Sequence, residues 1–293
     1  MRLPYCCRLG FACAVALLAA ASADARADDS MVADTLRVPI HLSPSGAPPA
    51  TRTIDVAVLH RRSVGRMPFL LLLHGRAADA ADRARLALPI YPANARYFAA
   101  LGFVVLIPLR IGYGIAGGPD LEQTGPCDDK HFAAGVAPAV EEARQVLAFA
   151  AALSYVDSRR GIVVGESFGG LVAIAAAAVP LPGLVASLSV SGGDGGDSLR
   201  RPDRPCGPDL LAETFARYGS GNRVPTLWLY SANDRLWGAE LPRVWFDAFV
   251  RAGGRGEFVE LPADKNNGHF IFNRNAAAWH PAFERFVAAL ALP

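Results

Sequence analysis

The sequence predicts an α/β fold in which a mostly parallel sheet of eight strands is covered by helices on both faces and begins with an antiparallel pair. Three observations lead there. Short runs rich in Val, Ile and Leu, such as 68–73 and 161–165, have the composition of strands buried on both faces of a sheet. Alanine-rich or amphipathic stretches of helical length alternate with those runs, which implies crossovers between parallel strands. The two earliest strands instead alternate apolar and polar residues and stand only a short loop apart, so they read as a hairpin.

Taken in order, strands are expected near 35–42 and 52–60, with the turn residues from Pro44 to Pro49 between them. The apolar run at 68–73 is the third strand and ends on His74-Gly75. A helix near 94–101 leads to the fourth strand at 103–108, Phe-Val-Val-Leu-Ile-Pro. A long helix at 136–153 precedes the fifth strand at 161–165, and an alanine-rich helix at 168–178 follows it. Strands at 184–190, 224–230 and 257–261 complete the sheet, with helices near 208–218, 240–252 and 281–291. The loops 110–135 and 192–208 are longer than ordinary connections and emerge at the carboxyl ends of strands, where such sheets carry their sites. Neither could form a complete lid domain, so the expected pocket is fairly open.

Composition narrows the possibilities. A net charge of +2 with no basic run gives no reason to expect nucleic acid as a partner. No repeat or low-complexity tract is present, and residues 28–293 are within the range of one α/β domain. At the N-terminus Arg2 and Arg8 precede a short apolar segment, and Ala25-Arg26-Ala27 offers a small-x-small cleavage site. That pattern is expected of a secretory signal peptide at 1–27, with an uncleaved anchor as the alternative. The expected location is therefore periplasmic or secreted. Three of the five cysteines, Cys6, Cys7 and Cys13, fall in that segment. Cys127 and Cys206 remain, an even number in an exported chain, so a disulfide between the two long loops is expected, against the alternative of two free thiols. No Cys/His pattern points to a metal site, and no cofactor is expected.

The chemistry centres on Gly165-Glu166-Ser167-Phe168-Gly169, set between a β-branched strand and an alanine-rich helix. G-x-S-x-G in that context is a sharp turn that lifts a serine hydroxyl above the sheet, with glycines where strand and helix pass closely. A small-residue βα turn without chemistry is the plainer reading. A nucleophilic serine needs a base and an orienting acid further along the chain. Only His269 and His280 follow Ser167. His269 stands in a turn-rich loop after the last strand and is expected to be the base; His280 lies beside the final helix, where an interface role fits better. Asp234 follows the strand at 224–230 and is the expected acid, ahead of Asp194, whose Gly-Gly-Asp-Gly-Gly surroundings read as a flexible turn, and of Asp264. The oxyanion donors are expected to be the backbone N–H groups of Phe168 and of Arg76, in the loop after the third strand. His74 is expected to brace that loop.

These residues carry a resemblance. The chain from about Asp34 onward resembles the α/β-hydrolase superfamily, in the branch of dienelactone-hydrolase-like proteins and prolyl-oligopeptidase-like catalytic domains. The similarity covers His74-Gly75, Arg110-Ile111-Gly112-Tyr113-Gly114, the elbow at Ser167, the strand leading to Asp234, and Gly268-His269. Relatives commonly carry Arg-Gly where this chain has Arg110-Ile111, and dienelactone hydrolases use cysteine where this chain has Ser167. The resemblance implies an α/β-hydrolase fold and a serine hydrolase acting on carboxylic esters, whose partner is a small molecule or an exposed ester on a larger one. A peptidase is the rival within hydrolases, although no region of this chain could encode the β-propeller such peptidases usually add. A non-catalytic binding protein is the rival outside them.

Overall fold

The apolar runs pair into one sheet in a computed structural model that describes residues 30–43 and 49–293. The expected signal segment, with Cys6, Cys7 and Cys13, and nearly all of the hairpin loop from Pro44 to Pro49 lie outside the described residues. The strands are β1 (Met31–Leu42), β2 (Ala50–Arg61), β3 (Met67–Leu73), β4 (Val104–Pro108), β5 (Val156–Glu166), β6 (Leu184–Val190), β7 (Thr226–Ser231) and β8 (Gly256–Leu261). Their spatial order is β1-β2-β4-β3-β5-β6-β7-β8. β1 pairs antiparallel with β2, and β2 antiparallel with β4; every later pair is parallel.

The side-chain alternation of the central strands divides the core in two. Phe69, Leu71, Leu73, Val163, Trp228 and Tyr230 face one layer; Leu70, Leu72, Ile162, Val164, Leu227 and Leu229 face the other. On the first face lie α3 (Phe132–Ala150), α4 (Phe168–Ala176), α5 (Pro208–Ser220) and α6 (Leu241–Arg251). On the second lie α2 (Pro92–Leu101), the short α7 (Ile271–Arg274) and α8 (Ala276–Ala288). The remaining helix, α1 (Ala80–Arg85), follows the β3 loop and buries no residue. It is held by Asp79, whose side chain accepts from the N–H groups of Ala81 and Asp82.

Several boundaries differ from the sequence reading for identifiable reasons. The reading gave no helix at Ala80–Arg85, which has a cap and no apolar face. The final helix starts at Ala276 rather than 281, because Pro281 is carried inside it. Burial of Trp279 and Phe283 against the sheet offsets the hydrogen bond that proline removes. Pro138 sits likewise inside α3, which begins at Phe132. β5 starts at Val156, five residues before the apolar run, and shifts register against β3 at its polar Ser158-Arg159-Arg160 segment and against β6 between Gly161 and Ile162.

One buried acid is tied to this architecture and lies under the loop after β4. Glu142, on α3, accepts from the Ile111 N–H at 3.1 Å. Burial pushes its carboxyl up to about 8, against the opposing pull of that N–H and of Arg110. The folded chain therefore holds a proton that the unfolded chain releases above about pH 4.3, so raising the pH from there to about 8 costs stability. Glu142→Gln should flatten that decline, giving a smaller loss of Tm between pH 5 and pH 8.5 than in the parent. Equal losses in the two proteins would show that Glu142 is not the group being titrated.

Candidate active site

The turn at Ser167 forms because two glycines let a strand and a helix come together. A Cβ on Gly165 would stand 2.0 Å from the Gly169 carbonyl oxygen, and one on Gly169 would stand 2.3 Å from the Leu73 carbonyl oxygen. Ser167 itself has φ +56° and ψ −123°, a backbone conformation that non-glycine residues rarely adopt. The strained turn is held by hydrogen bonds from Ser167 N–H to the Val190 carbonyl and from the Gly170, Leu171 and Gly193 N–H groups to the Ser167 carbonyl. Ser167 is half-buried while its neighbours Glu166 and Phe168 are buried, so the serine faces outward at the sheet's carboxyl edge.

Two loops meet over it. The β7 loop brings Asp234 and the β8 loop brings His269, and they are stitched together by Gly268 N–H to the Asn233 carbonyl and Arg235 N–H to Asn267 Oδ1. Gly268 lies so close to Ser231 that a Cβ there would meet its hydroxyl oxygen at 2.0 Å. His269 Nε2 is 3.0 Å from Ser167 Oγ, and His269 Nδ1 is 2.9 Å from Asp234 Oδ2. Asp234 Oδ1 accepts from the N–H groups of Leu236 and Trp237, which fixes the carboxylate while it faces the ring. Burial pushes the His269 imidazole down, but the Asp234 carboxylate beside it outweighs burial and holds it above its ordinary value. A serine hydroxyl, an imidazole and a buried carboxylate in this line can move a proton off the serine.

The alternatives have other partners, although Asp194 lines the same cavity as Ser167. His280, on α8, stacks on the Tyr97 ring at 3.5 Å, in the interface with α2. Asp194 accepts from the Thr124 hydroxyl and stands 3.9 Å from Lys130 Nζ. Asp264 accepts from Asn275 Nδ2. The glycines around Asp194 are not a loose turn: Cβ atoms on Gly193 and Gly196 would meet the Trp237 ring at 3.0 and 2.7 Å, so the segment lies flat against the indole.

Phe168 is the first residue of α4, where an N–H has no partner inside the helix. The turn after β3 passes directly over the serine, and a Cβ on Gly75 would be 3.2 Å from Ser167 Cβ. Arg76 and Phe168 both line the cavity that opens at Ser167, whose volume is about 260 Å³. Its walls include Lys130, Trp237 and the disulfide between Cys127 and Cys206, whose Cα atoms are 5.0 Å apart. That bridge ties the two long loops across 79 residues of sequence. In the chain-entropy account a closure of that length contributes about 4–5 kcal/mol, less any native strain.

His74 is buried and neutral, its imidazole pushed down by burial and by Arg110, and its ring Nδ1 is 2.7 Å from the Gly75 carbonyl oxygen. Three residues near the site were not anticipated from the sequence. Tyr91 and Glu166 form a buried pair beside Gly75, at 2.6 Å between the hydroxyl and Oε2. Trp237 packs edge-on to His269 with ring centroids 5.4 Å apart. The signal for Glu166 was present, since it is the one charged residue in an otherwise apolar strand end. Tyr91 and Trp237 carried no pattern.

Residues 70–291 match the model of a family described as the alpha/beta hydrolase family. Among solved structures, an acetyl xylan esterase from Paenibacillus sp. R4 is similar at 16% identity and a TM-score of 0.56, with 92% of each chain covered. A Klebsiella pneumoniae protein named for dienelactone hydrolase is similar at 16% identity and a TM-score of 0.57, covering 88% of this chain and 98% of that one. The acylaminoacyl peptidase of Pyrococcus horikoshii gives a TM-score of 0.62 at 13% identity, and the match covers 91% of this chain but 42% of the peptidase. Among curated proteins, none matches this chain.

Proposed function

The chain belongs to the alpha/beta hydrolase family, and from that premise we propose that it is an exported serine hydrolase that cleaves carboxylic esters through an acyl-enzyme. The observation that carries this reading is the contact line from Ser167 Oγ through His269 to Asp234, at 3.0 and 2.9 Å. Ser167 Oγ attacks the acyl carbon while His269 Nε2 takes its proton, and the carbonyl oxygen becomes an oxyanion facing the Phe168 and Arg76 N–H groups. Asp234 keeps the other ring proton on Nδ1 and stabilises the imidazolium. Collapse of the intermediate expels the alcohol, which takes the proton from His269 Nε2. Water then repeats the sequence with His269 again as base, releasing the acid and free Ser167.

Cavity volume supports a short acyl group, since about 260 Å³ is below the usual size of sites for drug-sized ligands. A disulfide and a signal-like N-terminal segment support a periplasmic or secreted location. A panel of p-nitrophenyl esters of rising acyl length, run beside aminoacyl p-nitroanilides, tests the reading. The expected result is fastest turnover of the acetate and butyrate, a decline with longer chains, and little action on the anilides. Preference for the anilides would make the protein a peptidase, and no turnover of any compound would make it a binding protein.

A further inference from the structure

The peptide units on either side of Gly75 are gripped by side chains from distant parts of the chain. Gly75 N–H donates to the Tyr91 hydroxyl at 3.1 Å, and that hydroxyl donates to Glu166 Oε2 at 2.6 Å. The carbonyl at the other end of the same peptide, that of His74, accepts from Arg110 Nη1 at 2.9 Å. The next carbonyl, that of Gly75, accepts from Arg110 Nη2 at 3.4 Å and from the His74 ring at 2.7 Å. Arg110 is fully buried and is itself anchored by Glu122, which also accepts from the Tyr113 hydroxyl at 2.6 Å.

Peptide planarity gives these contacts a direction. In a trans peptide the C=O and the N–H that follows it point opposite ways, because the amide is planar. Two donors holding the Gly75 carbonyl on one side therefore aim the Arg76 N–H to the other. Tyr91 and Arg110 pin the preceding peptide at both ends, so the turn has little freedom to rotate. Glu166 precedes Ser167 in sequence, which locks this clamp to the same turn that carries the serine. Oxyanion donors act through preorganisation, so the cost of letting such a turn relax falls on the transition state more than on bound substrate.

We propose that Tyr91, held by Glu166, and Arg110, held by Glu122, are positioning residues that set the direction of the Arg76 N–H and thereby complete the oxyanion hole. This rests on the serine-hydrolase reading above. Tyr91 acts on the reacting atoms through Gly75 and through Glu166 beside Ser167; Arg110 acts through the two carbonyls and also lies over the Phe168 ring, 5.9 Å from its centroid.

Tyr91→Phe is the direct test, because it removes one hydroxyl and keeps the ring that packs against Phe272. With p-nitrophenyl acetate the variant should lose about 10- to 100-fold in kcat, in the range that small misplacements cost, with KM within about twofold. Affinity for phenylboronic acid, whose tetrahedral adduct on serine places an oxygen in the hole, should fall by the same factor as kcat/KM. A packing role alone would lower Tm without that matched loss. Should Tyr91→Phe fail to fold, Glu166→Met frees the Tyr91 hydroxyl without removing it and should give the same pattern. Glu166→Gln, which keeps an acceptor for Tyr91, should lose less than Glu166→Met. Folded Tyr91→Phe and Glu166→Met variants with parental kcat and boronate affinity would overturn the inference. Parent protein without ester turnover would instead sink the serine-hydrolase reading beneath it.

Discussion

Replacing Ser167 with alanine is expected to lower kcat for p-nitrophenyl acetate about 10⁶-fold, the scale seen when a serine nucleophile is removed from a hydrolase. The substitution deletes a single oxygen, the one 3.0 Å from His269 Nε2. Hydrogen bonds that hold the turn run through the Ser167 backbone, to Val190 and from Gly170, Leu171 and Gly193, and alanine keeps them all. The variant should therefore fold with a Tm close to the parent's. Its residual rate would come from the oxyanion donors and from binding alone. Stopped-flow and end-point hydrolysis on the purified variant check this, and retention of more than about one hundredth of the activity would point to a different nucleophile.

Asp234→Asn should cost about 10³–10⁴-fold in kcat with the fold intact. The amide oxygen can still accept from the Leu236 and Trp237 N–H groups, so the loop keeps its shape. Its NH₂ then faces His269 Nδ1, where the carboxylate oxygen stood at 2.9 Å, and two donors cannot face each other. The imidazole must carry its proton on Nε2, the nitrogen that has to accept from Ser167. Loss of the carboxylate also removes most of what holds the imidazole above its ordinary value, leaving the downward push of burial against the smaller upward pull of Glu166. The acidic limb of kcat/KM should accordingly move to lower pH in the variant. Asp194→Asn should lose far less, since Asp194 bonds to Thr124 and lies beside Lys130. If instead the Asp194 variant lost activity and the Asp234 variant kept it, the acid would be misassigned.

The sheet was legible because its strands are nearly pure signals. β3 and β4 are uninterrupted apolar runs and β7 holds one, Leu227–Tyr230, between Thr226 and Ser231; all three are buried at every residue, and a run of that kind between turn residues has few other readings. Ser167, Asp234 and His269 stood out as candidates because each follows a strand on the carboxyl side of the sheet, and the fold brings Ser167 and Asp234 each within hydrogen-bonding distance of His269. Helix boundaries at Pro138 and Pro281 were not, because local proline preferences were overridden by burial of Trp279 and its neighbours.

The support around the site was harder to read for a different reason. Tyr91 meets Glu166 across 75 residues and Arg110 meets the His74 carbonyl across 36, and no periodicity encodes such pairs. The glycines at 192–196 read as flexibility in isolation. Only the Trp237 ring lying against Gly193 and Gly196 reveals that they are there to admit an indole. A buried charge at or just past the end of an apolar strand, as at Glu166 and Arg110, is the one part of this support that the sequence did signal.

Covalent labelling tests the central claim most directly. A fluorophosphonate reacts quickly only with a serine whose proton a base can take and whose adduct oxygen meets oxyanion donors. Incubation of the folded parent followed by peptide mass mapping should place one phosphonyl group on Ser167 of the segment Gly165-Glu166-Ser167-Phe168-Gly169, and the Ser167→Ala variant should take up none. Absence of labelling in the active parent, or labelling that persists in the Ser167→Ala variant, would contradict a mechanism centred on this serine.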